Sequence, residues 1–202
     1  MGNFIGTTKS GTGDLGNEGR GVFVGNGAAG NIVGDVDFND GFDNAANVIA
    51  FSGLDGVDIS GAASTSNSIL GNSIFSNARL GISLGQNSND GPGDADTGPN
   101  GLQNSPTIGS AKTSRKFMTI RGTLESTPNG AFIVQYFSNP KGTREEGKRL
   151  LGTQGMTTGN DGVVPLAFQS RKVEPGFFVT ATATRAKTGD TSSFSVLRKV
   201  VG

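Results

Sequence analysis

Short apolar segments separated by Gly and Asn recur along the first half of the chain. Residues 56–60 (GVDIS) and 81–85 (GISLG) are two copies of one phrase, and residues 67–71 (NSILG) and 72–76 (NSIFS) are near-copies that lie between them. Each phrase alternates apolar and small polar positions over three to five residues between turn-forming residues. This pattern predicts short strands that are joined by tight turns.

The same phrases extend back to the first residues, at 3–6, 21–25, 31–34 and 47–50. Their order gives three strands per turn, and Gly56 and Gly81 begin successive turns 25 positions apart. A strand this short buries too little surface alone, whereas stacked turns place each aliphatic residue on that of the next turn. Asn at matching corners is expected to hydrogen-bond along the stack. Residues 1–86 are therefore predicted to form three to four turns of a right-handed parallel β-helix.

The second half has longer strand signals. Six segments of alternating or β-branched character lie between residues 117 and 201, at a spacing that suits a small antiparallel sandwich. In residues 177–184, one face is expected to pack and the Thr face (Thr180, Thr182 and Thr184) to be solvated. Residues 87–110 are rich in Asn, Asp, Gly and Pro, which indicates a junction. The predicted division is thus 1–86, 87–110 and 111–202.

The repeat phrases and the junction resemble those of secreted bacterial right-handed parallel β-helix repeat proteins. The resemblance rests on the Gly- and Asn-bounded phrases given above and on the junction that follows them, LGQNSNDGPGDADTGPNGLQNSPTI. In such surface proteins an immunoglobulin-like (Ig-like) β-sandwich often follows the helix, and residues 131–137 and 178–184 look like its strands. The resemblance implies an all-β protein that is secreted or located at the bacterial cell surface.

Composition removes several kinds of chemistry. The chain has no His and no Cys, which excludes a Ser-His-Asp triad, a Cys-His pair and a His-based zinc site. No apolar run approaches the length of a membrane span, and the first residues are unlike a signal peptide. Residues 1–110 carry three basic against eleven acidic residues, and residues 111–202 carry fourteen against six. This charge split supports a domain boundary near residue 110.

The junction contains the sharpest polar cluster. Hard cations such as Ca²⁺ take several oxygen ligands in flexible loops, and closely spaced carboxylates repel one another unless neutralised. The alternative is a solvated turn whose side chains cap local N–H groups. The candidate calcium ligands are Asp90, Asp94, Asp96, Asn87 and Asn89.

A second acidic group follows the D-x-D-x-N pattern with which an EF-hand loop begins, at Asp35, Asp37 and Asn39. Asp40 stands where the EF-hand requires Gly, and no Glu closes the loop. The group is therefore not an EF-hand, and a calcium-binding insertion is the weaker hypothesis for it.

Parallel β-helices often act on polysaccharides, so an enzymatic role has to be weighed. Asp55 and Asp58, with Arg79 near them, are the residues that the pattern places on a possible substrate face. The helix is short for a substrate groove, and surface charge is the alternative interpretation. Basic residues in the second half, including Lys141, Arg144 and Lys148, suit an anionic glycan better than nucleic acid, because no aromatic residues are interleaved.

The sequence thus favours a non-enzymatic structural or adhesive segment of a secreted or cell-surface protein, with calcium as the candidate ion. The alternative is a carbohydrate-binding or polysaccharide-modifying β-helix module. A glycan or another surface protein is the expected partner, without nucleic acid or a membrane span. Because the first turn has no evident cap, the sequence predicts either more turns upstream in a longer protein or self-association through that turn.

Overall fold

A computed structural model describes residues 2–34, 46–85 and 89–202. Within these ranges the chain is all-β, as predicted, apart from a short 3₁₀ segment at Pro99–Leu102. The candidate ligands Asp35, Asp37, Asn39 and Asn87 lie outside the described residues.

The first eight strands form three small parallel sheets, which are called the stack below. Each strand pairs with the strand three places later, so the sheet orders are β1-β4-β7, β2-β5-β8 and β3-β6. The stack therefore has three layers, namely β1 to β3, β4 to β6, and β7 with β8. The strands are β1 (Phe4–Ile5), β2 (Val22–Val24), β3 (Ile32–Gly34), β4 (Val48–Ala50), β5 (Val57–Ile59), β6 (Ser68–Leu70), β7 (Ser73–Phe75) and β8 (Ile82–Ser83).

Aliphatic residues superimpose between layers because the strands pair in register. Ile5 lies beside Ile49, which lies beside Ile74, on one sheet. On the second sheet Val57 pairs with Ile82. Ile49 and Val57 have no exposed surface. Burial of an aliphatic side chain of this size contributes about 1.5–3 kcal/mol, so the one or two inward aliphatic residues of each strand hold the stack together.

Asparagine ladders run along two corners of the stack, as expected. The backbone N–H and the side-chain amide of Asn3 both donate to Oδ1 of Asn47, at 3.1 and 2.9 Å. Asn47 makes the same pair of bonds to Asn72, and Asn31 makes them to Asn67. Every ladder therefore has a direction, with donors from the earlier layer and acceptors on the later one.

Seven longer strands form one mixed sheet in the second half, in the order β12-β11-β14-β15-β9-β10-β13. The strands at the two ends of this order also touch, since Gln154 Nε2 donates to the carbonyl of Ala167 at 3.3 Å. The sheet thus curls almost onto itself around an apolar core. The strands are β9 (Thr107–Thr113), β10 (Phe117–Glu125), β11 (Ala131–Asn139), β12 (Arg149–Thr157), β13 (Val163–Arg171), β14 (Phe178–Arg185) and β15 (Arg198–Val201).

Two features of this half differ from expectation. β15 pairs with β9 in parallel, so the sheet is not purely antiparallel. The hairpin with β10 sets the direction of β9, and pairing with β14 sets that of β15. β9 also begins at Thr107, inside the predicted junction.

The prediction of a solvated Thr face on β14 is wrong. Thr180, Thr182 and Thr184 are all buried. The other face of β14 packs in the core of the curled sheet through Val179, Ala181 and Ala183. The Thr face is buried because it faces the last layer of the stack, where Thr182 lies in a small space with Ile69, Ile74 and Ile82.

Candidate functional site

The acidic loop of the junction lies between the stack and β9, and its carboxylates converge. Oxygen atoms of Asp90, Asp94 and Asp96 lie within 4.8 Å of one another. Two buried residues position the loop, Asn104 and Ser126. The structure therefore brings together the three carboxylates that the sequence selected.

Hydrogen bonds fix Asp90 at the centre of the loop. Its Oδ2 accepts from the backbone N–H of Ala95 and of Asp96, at 3.0 and 3.3 Å. Its Oδ1 accepts from the side-chain amide of Asn104 at 3.0 Å, and Asn104 Oδ1 accepts from the Asp90 N–H in return. Burial on its own would raise the pKa of Asp90, but these hydrogen bonds together lower it.

Asp94 is held differently from Asp90. It accepts hydrogen bonds from the Ser126 hydroxyl and from the Asn104 N–H. Burial nevertheless raises its pKa from 3.8 to about 6, against the effect of those bonds, and the charges of Asp90 and Asp96 raise it further. Burial, followed by the Asp90 charge, also raises the pKa of Asp96. The loop thus holds carboxylates whose mutual repulsion a cation would relieve.

One oxygen of this group has no hydrogen-bond partner. Oδ1 of Asp96 is inaccessible to solvent, and no donor in the described part of the chain reaches it. A buried carboxylate oxygen without a donor is costly unless something neutralises it. Three carboxylates are hard oxygen ligands that fit Ca²⁺. Asp90, Asp94 and Asp96 are therefore the residues that would hold such an ion.

Asn89 has a separate role in the same loop. Its side chain exchanges two hydrogen bonds with the backbone of Ser105, at 2.8 and 2.9 Å. These bonds clamp the two ends of the loop together. The sequence did not single out Asn104 and Ser126, which orient the aspartates, because neither residue lies in the acidic stretch and β10 brings Ser126 to it only in the fold.

The acids that were weighed for catalysis support the stack instead. Asp58 forms an ion pair with Arg20, whose guanidinium also lies 4.9 Å from the ring of Phe23. Asp55 accepts a hydrogen bond from the N–H of Leu80 at 3.1 Å, and the N–H of Arg79 donates to the carbonyl of Leu54. Both carboxylates are buried and already paired, Asp58 with Arg20 and Asp55 with the N–H of Leu80. In this arrangement they do not form a pair of catalytic carboxylates on an open face.

The last strand of each stack sheet (β7, β8 and β6) is closed by residues from the second half. Ile74 exchanges two backbone hydrogen bonds with Gly147, at 2.9 and 3.0 Å. On the next sheet the N–H of Gly81 donates to the carbonyl of Glu145 at 3.0 Å. On the third sheet the N–H of Ile69 donates to the hydroxyl of Thr191 at 2.9 Å. Each of the three sheets thus meets a partner at this end, which is called the closed end below.

Buried polar side chains terminate the Asn31–Asn67 ladder and a third corner, where the N–H of Ser52 donates to Oδ1 of Asn77 at 3.1 Å. Asn100, in the 3₁₀ segment, accepts from the N–H of Asn67 at 3.0 Å, as a further ladder Asn would. Its backbone has φ of 48°, a conformation that Asn tolerates better than most residues. Glu146 accepts from the N–H groups of Ser76 and Asn77. Burial raises the pKa of Glu146, although these bonds oppose the shift.

Two aromatic rings cover the apolar core at the closed end. Phe137 and Phe194 are buried, and their rings meet edge to face with centroids 5.3 Å apart. Both belong to the same apolar cluster as Ile74 and Ile82 of the stack. Sequence reasoning missed these residues because nothing in their local pattern distinguishes them from strand or loop residues of the second half.

A basic cleft of about 350 Å³ opens beside the closed end. Lys141, Arg144 and Lys148 line it, and the Lys148 ammonium lies 4.3 Å from the centre of the Phe75 ring. The cleft therefore brings together the basic loop residues that the sequence assigned to an anionic partner.

Comparisons with known proteins give no family. No protein family and no curated protein matches the chain. One similar structure is a β-glucosidase from Kluyveromyces marxianus, with 15% identity and a TM-score of 0.30 over 48% of this chain and 15% of that one. Another is the CARDB domain of a Pyrococcus furiosus protein in complex with di-metal ions, with 10% identity and a TM-score of 0.27 over 48% of this chain and 90% of that one. Neither similarity is close enough to assign a fold or a function. Within the described residues, no helix is long and apolar enough to cross a membrane.

Proposed function

We propose that the chain is a non-enzymatic structural module with a structural or adhesive role in a secreted or cell-surface bacterial protein. In this proposal the stack is a short right-handed parallel β-helix, and the curled sheet is an Ig-like sandwich that caps it. The surface assignment rests on the sequence resemblance. The supporting observation for the structural role is the closed end, where each stack sheet finds hydrogen-bond partners in the second half.

The closed end gives the module a mechanical rationale. An open end of stacked parallel strands exposes backbone groups that invite pairing with other chains. Here Gly147, Glu145 and Thr191 meet those groups, and Phe137 with Phe194 covers the core. A cap that shares an apolar core with the stack is expected to unfold together with it. The result is a stiff unit that displays whatever is attached to it.

Native-state hydrogen exchange tests this proposal. The amides of Ile69, Ile74 and Gly81 should exchange only through the same opening as amides in the middle of β11 and β14. If denaturant unfolds the stack and the curled sheet in two separate transitions, the second half is not a cap. A screen against polysaccharides for depolymerisation gives an independent check, because turnover would establish an enzyme.

Calcium binding is a proposed part of this structural role. The orphaned Asp96 Oδ1 and the raised pKa values of Asp94 and Asp96 favour it. An ion there would tie the junction to β10 through Asp94 and Ser126. It would stiffen the connection between the stack and the cap rather than take part in a reaction.

The second candidate function is binding of an anionic glycan. The basic cleft with Lys141, Arg144 and Lys148 favours it. A glycan array that contains uronic-acid and sulfated glycans would show salt-sensitive binding, and a Lys141→Ala/Arg144→Ala variant would lose it. Uniform signals across neutral and acidic glycans would exclude this candidate.

A further inference from the structure

The two ends of the stack are not equivalent. At the first layer the inward residues Ile5, Val22 and Val33 are only half-buried, and Val24 is 7% exposed. In the second layer Ile49, Val57 and Ile59 have no exposed surface. Each strand of the first layer also exposes a large apolar neighbour. These residues are Phe4, Phe23 and Ile32, which are 49%, 52% and 59% exposed. The first layer is called the open end below.

The direction of the ladders defines the chemistry of the open end. Asn3 and Asn31 use their N–H and side-chain amide groups as donors toward the second layer. No donor in the described part of the chain reaches Oδ1 of Asn3 or of Asn31. In the second layer the same atom of Asn47 accepts two hydrogen bonds. The open end therefore presents two hydrogen-bond acceptors, Oδ1 of Asn3 and of Asn31, next to aliphatic core residues that are only partly covered.

This polarity makes a second copy a poorer fit than a further turn that runs in the same direction. The donor-bearing end of the stack is the closed end, where Asn67 and Asn77 already donate to Asn100 and Glu146. Two copies that met through their open ends would place the Oδ1 atoms of Asn3 and Asn31 of one copy against those of the other. Self-association through the first turn would therefore not reproduce the Asn-to-Asn hydrogen bonds of the stack.

We propose that the open end is a docking surface for one more three-strand parallel turn of the same repeat, supplied by a polypeptide segment outside these 202 residues. The turn would bring Asn N–H and carboxamide donors to Oδ1 of Asn3 and Asn31, and it would cover Ile5, Val22 and Val33. This inference rests on the proposed β-helical nature of the stack. Gly2 and Gly71, which precede Asn3 and Asn72, have φ of 64° and 73°, so the first layer repeats the corner geometry of the last one.

An extended chain tests the proposal, with a copy of residues 47–70 placed immediately before Gly2. In the stack, the N–H groups of Val48 and Ser73 donate to the carbonyls of Asn3 and Asn47, each at 2.9 Å. Phe4 is the equivalent position in the first layer, and Ile32 is equivalent to Ser68. Hydrogen exchange at the Phe4 and Ile32 amides should therefore slow by tenfold or more in the extended chain. A scrambled copy of the same composition should leave both rates unchanged, and a copy with Ala at both ladder Asn positions should give less protection than the unaltered copy.

Two results would overturn the proposal. One is equal exchange at Phe4 and Ile32 in the chains with the true and the scrambled copy. The other is a dimer of the native chain in sedimentation, with both amides already protected. The amides of Ile69 and Ile74 serve as the internal reference. If these two are protected while Phe4 and Ile32 do not respond, only the docking inference fails; if they exchange freely, the β-helical stack and the inference fall together.

Discussion

Glu146 accepts a hydrogen bond from the backbone N–H of Asn77 at 2.7 Å, across 69 positions of sequence. The Glu146 side chain is 1% exposed, and its second oxygen accepts from the N–H of Ser76 and the hydroxyl of Thr143. The acidic side chain of a basic loop thus takes the place that a ladder Asn would hold in a further layer. This contact joins the stack to its cap.

Glu146→Gln is expected to destabilise the chain. The Gln side chain keeps the shape but turns one acceptor into a donor, which leaves the N–H of Ser76 or of the buried Asn77 without a partner. The expected loss is about 2 kcal/mol, the usual range for an unsatisfied buried donor. Denaturant unfolding measures it. Glu145→Gln, in which the adjacent side chain changes and the backbone contact to Gly81 stays, is the control, and an equal loss in both variants would contradict this role.

Phe194→Ala is expected to loosen the closed end. Phe194 is 5% exposed and covers the core of the stack together with Phe137. Truncation of a buried Phe costs about 3–5 kcal/mol, because both burial and packing are lost. Hydrogen exchange should show the loss first at β7 and β8. Phe117→Ala removes a ring that is 48% exposed and serves as the control. A loss as small as that of the control would show that the cap does not seal the core.

Asn47→Ala tests the ladder that the sequence predicted. Asn47 is buried, and its side chain accepts two hydrogen bonds from Asn3 and donates one to Asn72. Its removal leaves the Asn3 donors without an acceptor and takes one of the two donors from the buried Asn72, with an expected cost of about 1–3 kcal/mol. Asn3→Ala, at the exposed end of the same ladder, should cost less than half as much. Thermal unfolding of both variants decides the point, since equal costs would mean that the ladder contributes no cooperativity along the stack.

Local pattern was sufficient for the strands of the stack and for the Asn ladders, because both depend on residues that repeat at short spacing, but it missed β9. It predicted Ile49 in the core and Asn47 at a corner. It did not predict the closed end, because Glu146 and Asn100 acquire their roles from partners tens of positions away. The Thr face of β14 was misassigned for the same reason. The alternation of residue types shows that the two faces of β14 differ in polarity. It does not show that the stack packs against the Thr face and buries it.

The same limit applies to the acidic loop. The spacing of Asp90, Asp94 and Asp96 identified the group, whereas the fold separates their pKa values, because burial raises that of Asp94 and hydrogen bonds lower that of Asp90. Composition alone treats the three residues as equivalent. The fold makes Asp94 the carboxyl that is most easily kept protonated.

Asp94 should make stability fall as pH rises from about 4 to about 6. Its pKa is raised to about 6 in the folded chain, from an ordinary value of 3.8, so the native state retains a proton that the unfolded state releases. The pKa of Asp96 is also raised, so Asp96 changes stability in the same direction. The pKa of Asp90 is lowered, so Asp90 affects stability only at lower pH. The melting temperature in EDTA, compared with that of Asp94→Asn, should therefore decline between pH 4.5 and 7. A difference that does not change with pH would contradict a raised pKa.

Calcium should offset the loss of stability that follows ionisation of Asp94 at rising pH. A cation held by Asp90, Asp94 and Asp96 stabilises the ionised carboxylates, so millimolar calcium is expected to raise the melting temperature at pH 7 and to flatten its pH dependence. An ion that binds only the native state at one hundred times its dissociation constant adds about 2.7 kcal/mol. Asp94→Asn/Asp96→Asn should lose this gain, whereas Asp14→Asn, which alters an exposed carboxylate outside the loop, should retain it. If native chain and double variant respond equally to calcium and to EDTA, the ion binds elsewhere or not at all, and the carboxylates of the junction act only as caps for its turns.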